Sequence, residues 1–374
     1  MTIYLDFNAS TPTHPRVVET MRDIYQNHYG NTGSRTHIFG QKAKEIVERA
    51  RKRISSILSV DSSEVIFTSG ATESNNLAIL GLARWGEQNG RKHLISTKIE
   101  HKAVLEPLNY LAKQGFDIDL IDVDSTGRID VKNVNEKLRS DTLLVSVMHA
   151  NNETGVIQPV HEIGELLKDT NVYFHIDAAQ TFGKLVPELH NLEYDLLSIS
   201  GHKIYGPQGI GALILRQKKY LRPPVQPITF GGGQEQGLRP GTLPVALIAG
   251  FGAAAEIAAH ECVTWNENNL KTKNYLLSEL GKVICTINGT QEYCLPNTLN
   301  VSFPNVDSEA LMLALKEYYA VSNGSACTSA NYKPSHVLTA MGLSEDLIDS
   351  AIRISWGPMV DVNLQEFIRI INSF

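Results

Sequence analysis

The sequence predicts an α/β protein built on a mostly parallel sheet of seven strands, and two patterns support this prediction. Short runs that are apolar throughout recur between residues 64 and 215, as is typical of strands buried on both faces of a sheet. Amphipathic segments with helical spacing separate several of these runs, which is the alternation found in α/β folds. We therefore expect helices to cover both faces of the sheet.

The elements follow one another in a clear order. An extended arm covers residues 1–14, and helices begin at Pro15 and near Ala43. The predicted strands are 64–69, 93–97, 117–123, 142–149, 172–177, 196–200 and 211–215. Helices are predicted at 74–85, 102–113 and 160–168. A Gly-rich loop at 230–244 precedes one long helix, or a helix pair, at 245–280.

We expect two domains, because 374 residues are enough for two substantial cores. The large domain is predicted over residues 15–260. The smaller α+β domain is predicted to combine 1–14 with 261–374, where short strands alternate with helices at 308–318 and 361–372. It carries a loop at 321–334.

The composition excludes several classes of protein. Hydrophobic residues make up 42% and charged residues 20%, and the net charge is -6. A generic nucleic-acid binder is usually basic, so we expect no direct nucleic-acid binding. We expect no membrane span and no signal peptide. Four scattered cysteines are too few for a disulfide framework or a zinc site, which predicts the reducing cytoplasm and no metal.

Lys203 stands out in the stretch LLSISGHKIYGPQGIGALIL at 196–215. A lysine after a buried strand is costly unless its ammonium is paired or neutralised. It either reaches the surface along its apolar stem or uses its amine chemically, as a Schiff base.

The run SGATESNN at 69–76 follows one predicted strand and opens a helix. Backbone N–H groups at a helix start favour a phosphate, although the run lacks the Gly-Lys-Ser/Thr of a Walker A loop. The alternative is an ordinary cap made by Ser69 or Thr72.

Other polar residues also follow predicted strands, and each has a structural alternative. Asp177 either caps a helix or faces a ligand cation, and Gln180 lies three residues on. His101 is catalytic or structural, and Asn152 is functional or a turn residue.

The arrangement of these residues is more specific than any one of them. A parallel sheet gathers the carboxyl ends of its strands along one edge. The gathered residues are Thr72, His101, Asn152, Asp177, Gln180, Ser200, His202 and Lys203. This set suits pyridoxal phosphate: the lysine forms the Schiff base, the carboxylate pairs with the pyridinium nitrogen, and the helix start with Thr72, Ser200 and His202 holds the phosphate.

Two further residues lie in the predicted small domain. Cys327 is surrounded by small polar residues in SNGSACTSAN, which favours an exposed, reactive thiol over a buried one. Cys262, Cys285 and Cys294 are interpreted as buried, small apolar residues. Arg353, in AIRISWG, forms either a surface ion pair or a bidentate clamp on a substrate carboxylate.

These stretches resemble the cysteine desulfurases of the nitrogen-fixation and iron–sulfur-assembly type, in the class V branch of fold-type-I pyridoxal-phosphate enzymes. The matching motifs, in family order across almost the whole chain, are YLDFNASTP, SGATESNN, EHKAVLEPL, MHANNETGVIQP, HIDAAQ, SGHKIYGPQGIGAL, GLRPGTLP, NGSACTSA and IRISWG. One departure is Thr32-Gly33, where the family pattern has Pro-Ser.

The resemblance implies a role for each site residue. Lys203 would be the Schiff-base lysine, Asp177 the pyridinium partner and Cys327 the nucleophile. Gln180 would bond the ring hydroxyl, and His101 would stack on the ring and shuttle protons. The remaining implied roles are phosphate binding by Ala71, Thr72, Ser200 and His202, phosphate binding across a homodimer by Thr242, and substrate-carboxylate binding by Asn152 and Arg353.

The implied reaction converts L-cysteine into L-alanine and a persulfide on Cys327. The sulfur then passes to an acceptor protein, which is a scaffold or a thiolation enzyme. Iron–sulfur assembly, tRNA thiolation and DNA phosphorothioation are all open as the pathway. A selenocysteine lyase or another class V enzyme is the alternative function.

Overall fold

The computed structural model describes residues 2–218, 221–323 and 334–374. Its strands are β1 (Ile3–Tyr4), β2 (Val65–Thr68), β3 (His93–Thr97), β4 (Asp117–Ile121), β5 (Thr142–Met148), β6 (Tyr173–Asp177), β7 (Leu196–Ser200), β8 (Gly211–Leu215), β9 (Thr286–Ile287), β10 (Thr298–Ser302), β11 (Tyr319–Ala320) and β12 (Ala351–Ser355). Its α-helices are α1 (Pro15–Asn27), α2 (Ile38–Ile57), α3 (Ala71–Gln88), α4 (Lys102–Lys113), α5 (Val131–Lys137), α6 (Val160–Leu167), α7 (Val186–His190), α8 (Val245–Leu280), α9 (Ser308–Leu315), α10 (His336–Ala340), α11 (Glu345–Asp349) and α12 (Gln365–Ile371).

The seven strands predicted between residues 64 and 215 are present as β2 to β8. Three of them have the predicted ends, and the other four differ by one or two residues. The segment 245–280 is a single helix, which settles the alternative of a helix pair. The sequence prediction missed β1, β11, α5, α7, α10 and α11. These elements have seven residues or fewer, too few for an apolar periodicity to be recognised.

The central sheet confirms the predicted α/β fold. Its strand order is β2-β8-β7-β6-β5-β3-β4. Every neighbouring pair from β7 to β4 is parallel, whereas β8 runs antiparallel to both β2 and β7. Strands β2, β5, β7 and β8 are buried along their full length, which explains their continuous apolar character.

Helices cover both faces of this sheet. One apolar cluster packs β-strand side chains against α1, α2 and α8. A second cluster on the opposite face includes Leu77, Leu82, Val104 and Leu108, which belong to α3 and α4. The sheet is therefore the middle of three layers, and its strand ends reach the edge of the core.

A smaller antiparallel sheet, with the order β12-β10-β9, lies beside the pair formed by β1 and β11. Its separate apolar cluster includes Leu5, Trp356 and Phe367. Helix α8 contributes to both cores, because Trp265 packs in the large cluster and Leu276 in the small one. The predicted domain boundary at 260/261 lies inside this helix and stays a prediction.

Helix α8 requires a correction to the expectation that no segment approaches a membrane span. By length and composition it is apolar enough to cross one, but 72% of its apolar window is buried inside the protein. The helix packs along α1 and α2. Core packing thus accounts for its apolar composition.

Candidate active site

The strand ends of the central sheet lie level with one another. Met148 of β5 is paired with Asp177 of β6, which is paired with Ser198 of β7. On the other side, Gly211 of β8 is paired with both Ser200 and Thr68. Because these pairs lie at the carboxyl ends of the parallel strands, the loops that follow them converge on one edge of the sheet.

The start of α3 is open on the side of this edge. Gly70 precedes the helix with a φ of 151°, and no side chain caps the helix start, so the alternative of a cap by Ser69 or Thr72 is wrong. A Cβ on Gly211 would lie 2.7 Å from the Gly70 Cα, which explains the glycine there. An uncapped helix start presents N–H groups of its first turn, including Ala71 and Thr72, to an anion.

Asp177 is held as a hydrogen-bond acceptor at the end of β6. Its Oδ2 accepts from Asn75 Nδ2 at 2.7 Å, and its Oδ1 accepts from the Ala179 N–H at 2.9 Å. The Asp177 side chain is buried, and so is Asn75, whose Oδ1 has no partner among the described residues. The carboxylate therefore both bonds locally and faces other ionisable groups, since its charge acts on His101.

Lys203 is only partly exposed, and the amino-terminal arm holds its amine. Its Nζ donates to the carbonyl oxygens of Asn8 and, at 2.9 Å, of Ala9. Gln180 donates from Nε2 to the same Asn8 carbonyl at 2.9 Å. The amino-terminal arm thus brings Lys203 and Gln180 together, although they follow different strands.

His202 lies one residue before Lys203 and contacts Ser10 of the same arm. Its Nδ1 is 3.2 Å from Ser10 Oγ, which also accepts from Gln208 Nε2 at 3.2 Å. Burial lowers the pKa of His202 to about 4, with a contribution from Lys203. The ring is therefore neutral near pH 7, and either the ring or the Ser10 hydroxyl donates in the contact between them.

His101 has a structural contact at the start of a helix and also lies close to the other residues of the candidate site. It caps α4, because its Nδ1 accepts from the Ala103 N–H at 3.1 Å. Burial lowers its pKa, and Asp177 and Lys203 act on it with opposite signs. The neutral ring keeps its hydrogen on Nε2, where it remains available as a donor.

Arg353 is buried rather than part of a surface ion pair, with only 3% of the residue exposed. One guanidinium nitrogen donates to the carbonyl of Asn152 at 3.0 Å, and the other pairs with the Asp6 carboxylate. Its Nε has no partner among the residues that the structure describes. The side chain is thus held at both terminal nitrogens.

Two more ionisable groups lie near the site: Glu100 is buried, and Lys184 is half-buried. Loss of hydration, together with the charges of Lys203 and Arg353, lowers the pKa of Lys184 to about 7. Burial raises the pKa of Glu100 to about 8, although Met148 N–H and the Thr97 hydroxyl both bond to its Oε1. Lys184 therefore loses most of its positive charge just above neutrality, whereas Glu100 stays largely protonated there.

Two predicted site residues need separate mention. Thr242 is exposed on the loop 230–244, and Cys327 lies outside the described residues. The other three cysteines are buried or half-buried, and burial raises the pKa of each thiol. A raised pKa disfavours the thiolate, which is the reactive form; of the three, Cys262 is buried as predicted, whereas Cys285 and Cys294 are half-buried.

Sequence reasoning assigned no role to Asp6, Asn75, Glu100 or Lys184. Asn75 was considered only as a residue near a helix cap. A signal for Asp6 was available, because a carboxylate within the apolar run IYLDF requires a partner. Its partner, Arg353, is 347 residues away, so no local pattern identifies it.

The site is open to the surface and offers no metal cluster. A groove of about 800 Å³ begins at Thr72 and His101 and runs outward between α3 and α4. Within residues 2–218, 221–323 and 334–374, no group of three or more His, Cys, Asp or Glu side chains could hold a metal ion. The organic cofactor predicted from the sequence is therefore the group to compare with these residues.

Comparisons with known proteins agree with the geometry. Residues 3–363 match the family model described as aminotransferase class-V. Cysteine desulfurase IscS of Anaeromyxobacter sp. (strain Fw109-5) is 46% identical over 357 residues, covering 95% of this chain and 87% of the relative.

Solved structures show the same similarity. A NifS-like protein superposes with a TM-score of 0.90 at 38% identity, covering 100% of this chain and 98% of the other. A structure described as SspA in complex with cysteine gives a TM-score of 0.84 at 37% identity, covering 96% and 99%. The chain belongs to the class-V aminotransferase family and, within it, to the cysteine desulfurases.

Proposed function

We propose that this protein uses pyridoxal phosphate to convert L-cysteine into L-alanine and to retain the sulfur as a persulfide on Cys327. The observation that carries the proposal is the pairing of strand ends that brings Asp177 and Lys203 to one edge beside the open start of α3. Family membership supports the same activity. Pyridoxal phosphate supplies the electron sink that stabilises negative charge on the substrate.

The residues at the start of α3 fit a phosphate. The N–H groups of Ala71 and Thr72 would donate to it, together with Ser200 and the ring of His202. The uncapped helix start and the neutral His202 ring support this assignment. Thr242 would reach the phosphate of the neighbouring subunit in a homodimer, and its exposure is compatible with that role.

The residues around Asp177 fit the ring of the cofactor. The Asp177 carboxylate would accept from the pyridinium nitrogen, and the Asn75 hydrogen bond orients it for that contact. Gln180 would bond the ring hydroxyl, and His101 would stack on the ring and shuttle protons. The neutral state of His101 supports both parts of its role.

The substrate carboxylate would bind to Arg353 and Asn152. The unpartnered buried Nε of Arg353 supports this role, because a buried N–H without an acceptor is costly until a ligand supplies one. Lys203 would remove the proton from the substrate Cα once its amine is free of the cofactor. The carbonyls of Asn8 and Ala9 then hold that amine in place.

Cys327 would receive the sulfur. Its thiolate attacks the sulfur of the substrate, the Cβ–S bond breaks, and the substrate leaves as L-alanine after protonation. The sum is L-cysteine plus the Cys327 thiol giving L-alanine plus the Cys327 persulfide, so atoms and electrons balance. The raised thiol pKa values of the other three cysteines support the choice of Cys327.

The acceptor of the sulfur is a protein, either a scaffold or a thiolation enzyme, in the cytoplasm. Iron–sulfur assembly, tRNA thiolation and DNA phosphorothioation all need such a donor. A selenocysteine lyase is the second candidate activity, because the same residues would release the heavier chalcogen.

Product analysis tests the activity. The purified holoenzyme is incubated with L-cysteine or L-selenocysteine, with and without a reductant, and L-alanine and sulfide are quantified. We expect L-alanine from L-cysteine in repeated turnover when the reductant is present. Alanine formed only from L-selenocysteine would instead identify a selenocysteine lyase, and no alanine from either would refute the proposal.

A further inference from the structure

Within the amino-terminal arm, residues 5–11 run from the small sheet to the turn that carries Lys203. At one end the Ser355 N–H donates to the Leu5 carbonyl at 2.9 Å, and the Phe7 N–H donates back to the Ser355 carbonyl at 3.2 Å. At the other end the Thr11 N–H donates to the His202 carbonyl at 3.0 Å. The backbone of Asp6 is therefore fixed between two anchored points.

Asp6 presents its carboxylate to Arg353 from this fixed backbone. The Arg353 side chain is 4% exposed and the Asp6 side chain 18%, so water screens the pair poorly. The Asn152 carbonyl binds the other terminal nitrogen. Two acceptors thus hold the two terminal nitrogens of the guanidinium, and within the described part of the chain Nε has no acceptor.

Asp6 also offsets a concentration of positive charge. Lys184, Lys203 and Arg353 lie close enough together that the last two lower the pKa of the first. Burying the Arg353 guanidinium close to the amine of Lys203 is costly without a nearby anion. The Asp6 carboxylate is in direct contact with Arg353.

We propose that Asp6 is a positioning residue for the substrate-carboxylate site, which it builds by orienting Arg353. This inference rests on the proposed function, in which Arg353 binds the carboxylate of L-cysteine. Two and three residues after Asp6, the carbonyls of Asn8 and Ala9 hold Lys203. One short segment therefore sets the distance between the group that binds the carboxylate and the group that removes the neighbouring proton.

The test uses two ligands that differ only in the carboxylate. L-alanine, the reaction product, and ethylamine are each titrated into the holoenzyme while the visible absorbance of the cofactor is followed. Asp6→Asn keeps the size of the side chain and removes its charge. We expect it to weaken L-alanine binding roughly tenfold to a hundredfold, the loss of one charge-assisted hydrogen bond, and to leave ethylamine binding unchanged.

Controls separate positioning from folding. Asp122→Asn removes a carboxylate from an exposed pair with Lys98 and should change neither titration. The ethylamine response of Asp6→Asn shows whether that variant still has a folded site. Combining Asp6→Asn with Arg353→Lys should cost less than the sum of the two single effects, because both act on one contact.

Three results would overturn the inference: equal weakening of both ligands, no weakening of either, or additive effects in the double variant. A wild-type holoenzyme that binds L-alanine no better than ethylamine would count against Arg353 as the carboxylate site. A holoenzyme that also releases no alanine from L-cysteine would refute the proposed function itself. Failure of the Asp6 inference and failure of the proposed function therefore give different results.

Discussion

The candidate site has two halves that are built in different ways. The sheet-edge half consists of Asp177, Lys203 and the start of α3, which lie within a few residues of neighbouring strand ends. The clamp half consists of Asp6, Asn152 and Arg353, which come from the amino-terminal arm, the loop after β5 and the small sheet. Sheet topology is enough to assemble the first half, whereas the second depends on how distant parts of the chain pack.

This difference also separates two kinds of chemistry. The sheet-edge half holds groups suited to the cofactor and to proton transfer, so damage there should lower the rate of the chemical step. The clamp half holds groups suited to a substrate carboxylate, so damage there should mainly weaken substrate binding. This division would be wrong if variants at the sheet edge mainly weakened substrate binding, or if variants at the clamp mainly slowed the chemical step.

Replacement of Lys203 should have the largest effect. Lys203→Ala removes the amine that would bond to the cofactor and take up the proton, so we expect loss of both the visible absorbance and all alanine formation. Absorbance spectra and product analysis check this. Lys168→Ala, which removes a lysine from an exposed ion pair, should change neither. Alanine formation by Lys203→Ala would remove Lys203 from the mechanism.

Replacement of Arg353 should have the next largest effect, and on binding. Arg353→Lys keeps the charge but loses the planar fork, so we expect KM for L-cysteine to rise roughly a hundredfold while kcat changes much less. Steady-state kinetics measure the two separately. Arg369→Lys alters a similar fork in an exposed pair with Glu366 and should have no effect. A fall in kcat with unchanged KM would assign Arg353 to the sheet-edge half.

Replacement of Asn75 should lower kcat rather than raise KM, and by a smaller factor than the change expected for Arg353. Asn75→Ala removes the hydrogen bond to Asp177 Oδ2, so we expect kcat to fall roughly tenfold with little change in KM. The neighbouring Asn76→Ala, which removes only a bond to the Thr72 carbonyl, is the control. If both variants had equal kinetics, the orienting role of Asn75 would be wrong.

The last prediction concerns the free energy of unfolding of the protein rather than its kinetics. Burial keeps Glu100 protonated in the folded state up to a pKa of about 8, whereas the unfolded chain loses this proton near its ordinary pKa. The contribution of Glu100 to the free energy of unfolding is therefore most favourable at low pH and falls as the pH rises. Relative to Glu100→Gln, the wild type should lose about 1.4 kcal/mol of unfolding free energy for each pH unit between the ordinary pKa of 4.5 and about 8.

Urea denaturation of both proteins at several pH values measures this difference. Glu87→Gln, which alters an exposed carboxylate paired with Lys92, should show no such slope. An unchanged difference between wild type and Glu100→Gln at every pH would mean that water reaches Glu100.

The sequence was sufficient for the sheet-edge half because its signals are local. The apolar runs of β6 and β7 identify two strands. Asp177 and Ser200 are the last residues of these strands, and His202 and Lys203 follow Ser200 closely. Parallel pairing then brings these ends together without knowledge of side-chain contacts. The same reasoning found β2 to β8 and the long helix α8.

The clamp half could not be predicted in the same way. Arg353 was interpreted as either a surface ion pair or a clamp, because a strand of five residues does not reveal which side chain is buried. Asp6 lies between apolar neighbours, and its contact with Arg353 depends on how the segment after β1 packs with β12 around one apolar cluster. Asn152 contributes a backbone carbonyl, which no sequence pattern marks.

Peptide mapping shows whether sulfur leaves L-cysteine at the Lys203 site and is retained on Cys327. The holoenzyme is incubated with L-cysteine without reductant, and alanine is quantified while persulfide is located by mass spectrometry. We expect one persulfide on the Cys327 peptide for each alanine in the first turnover, with none on Cys262, Cys285 or Cys294, and no persulfide in Cys327→Ala, which should keep its visible absorbance. Persulfide on another cysteine, or undiminished sulfide release by Cys327→Ala with reductant present, would contradict this account.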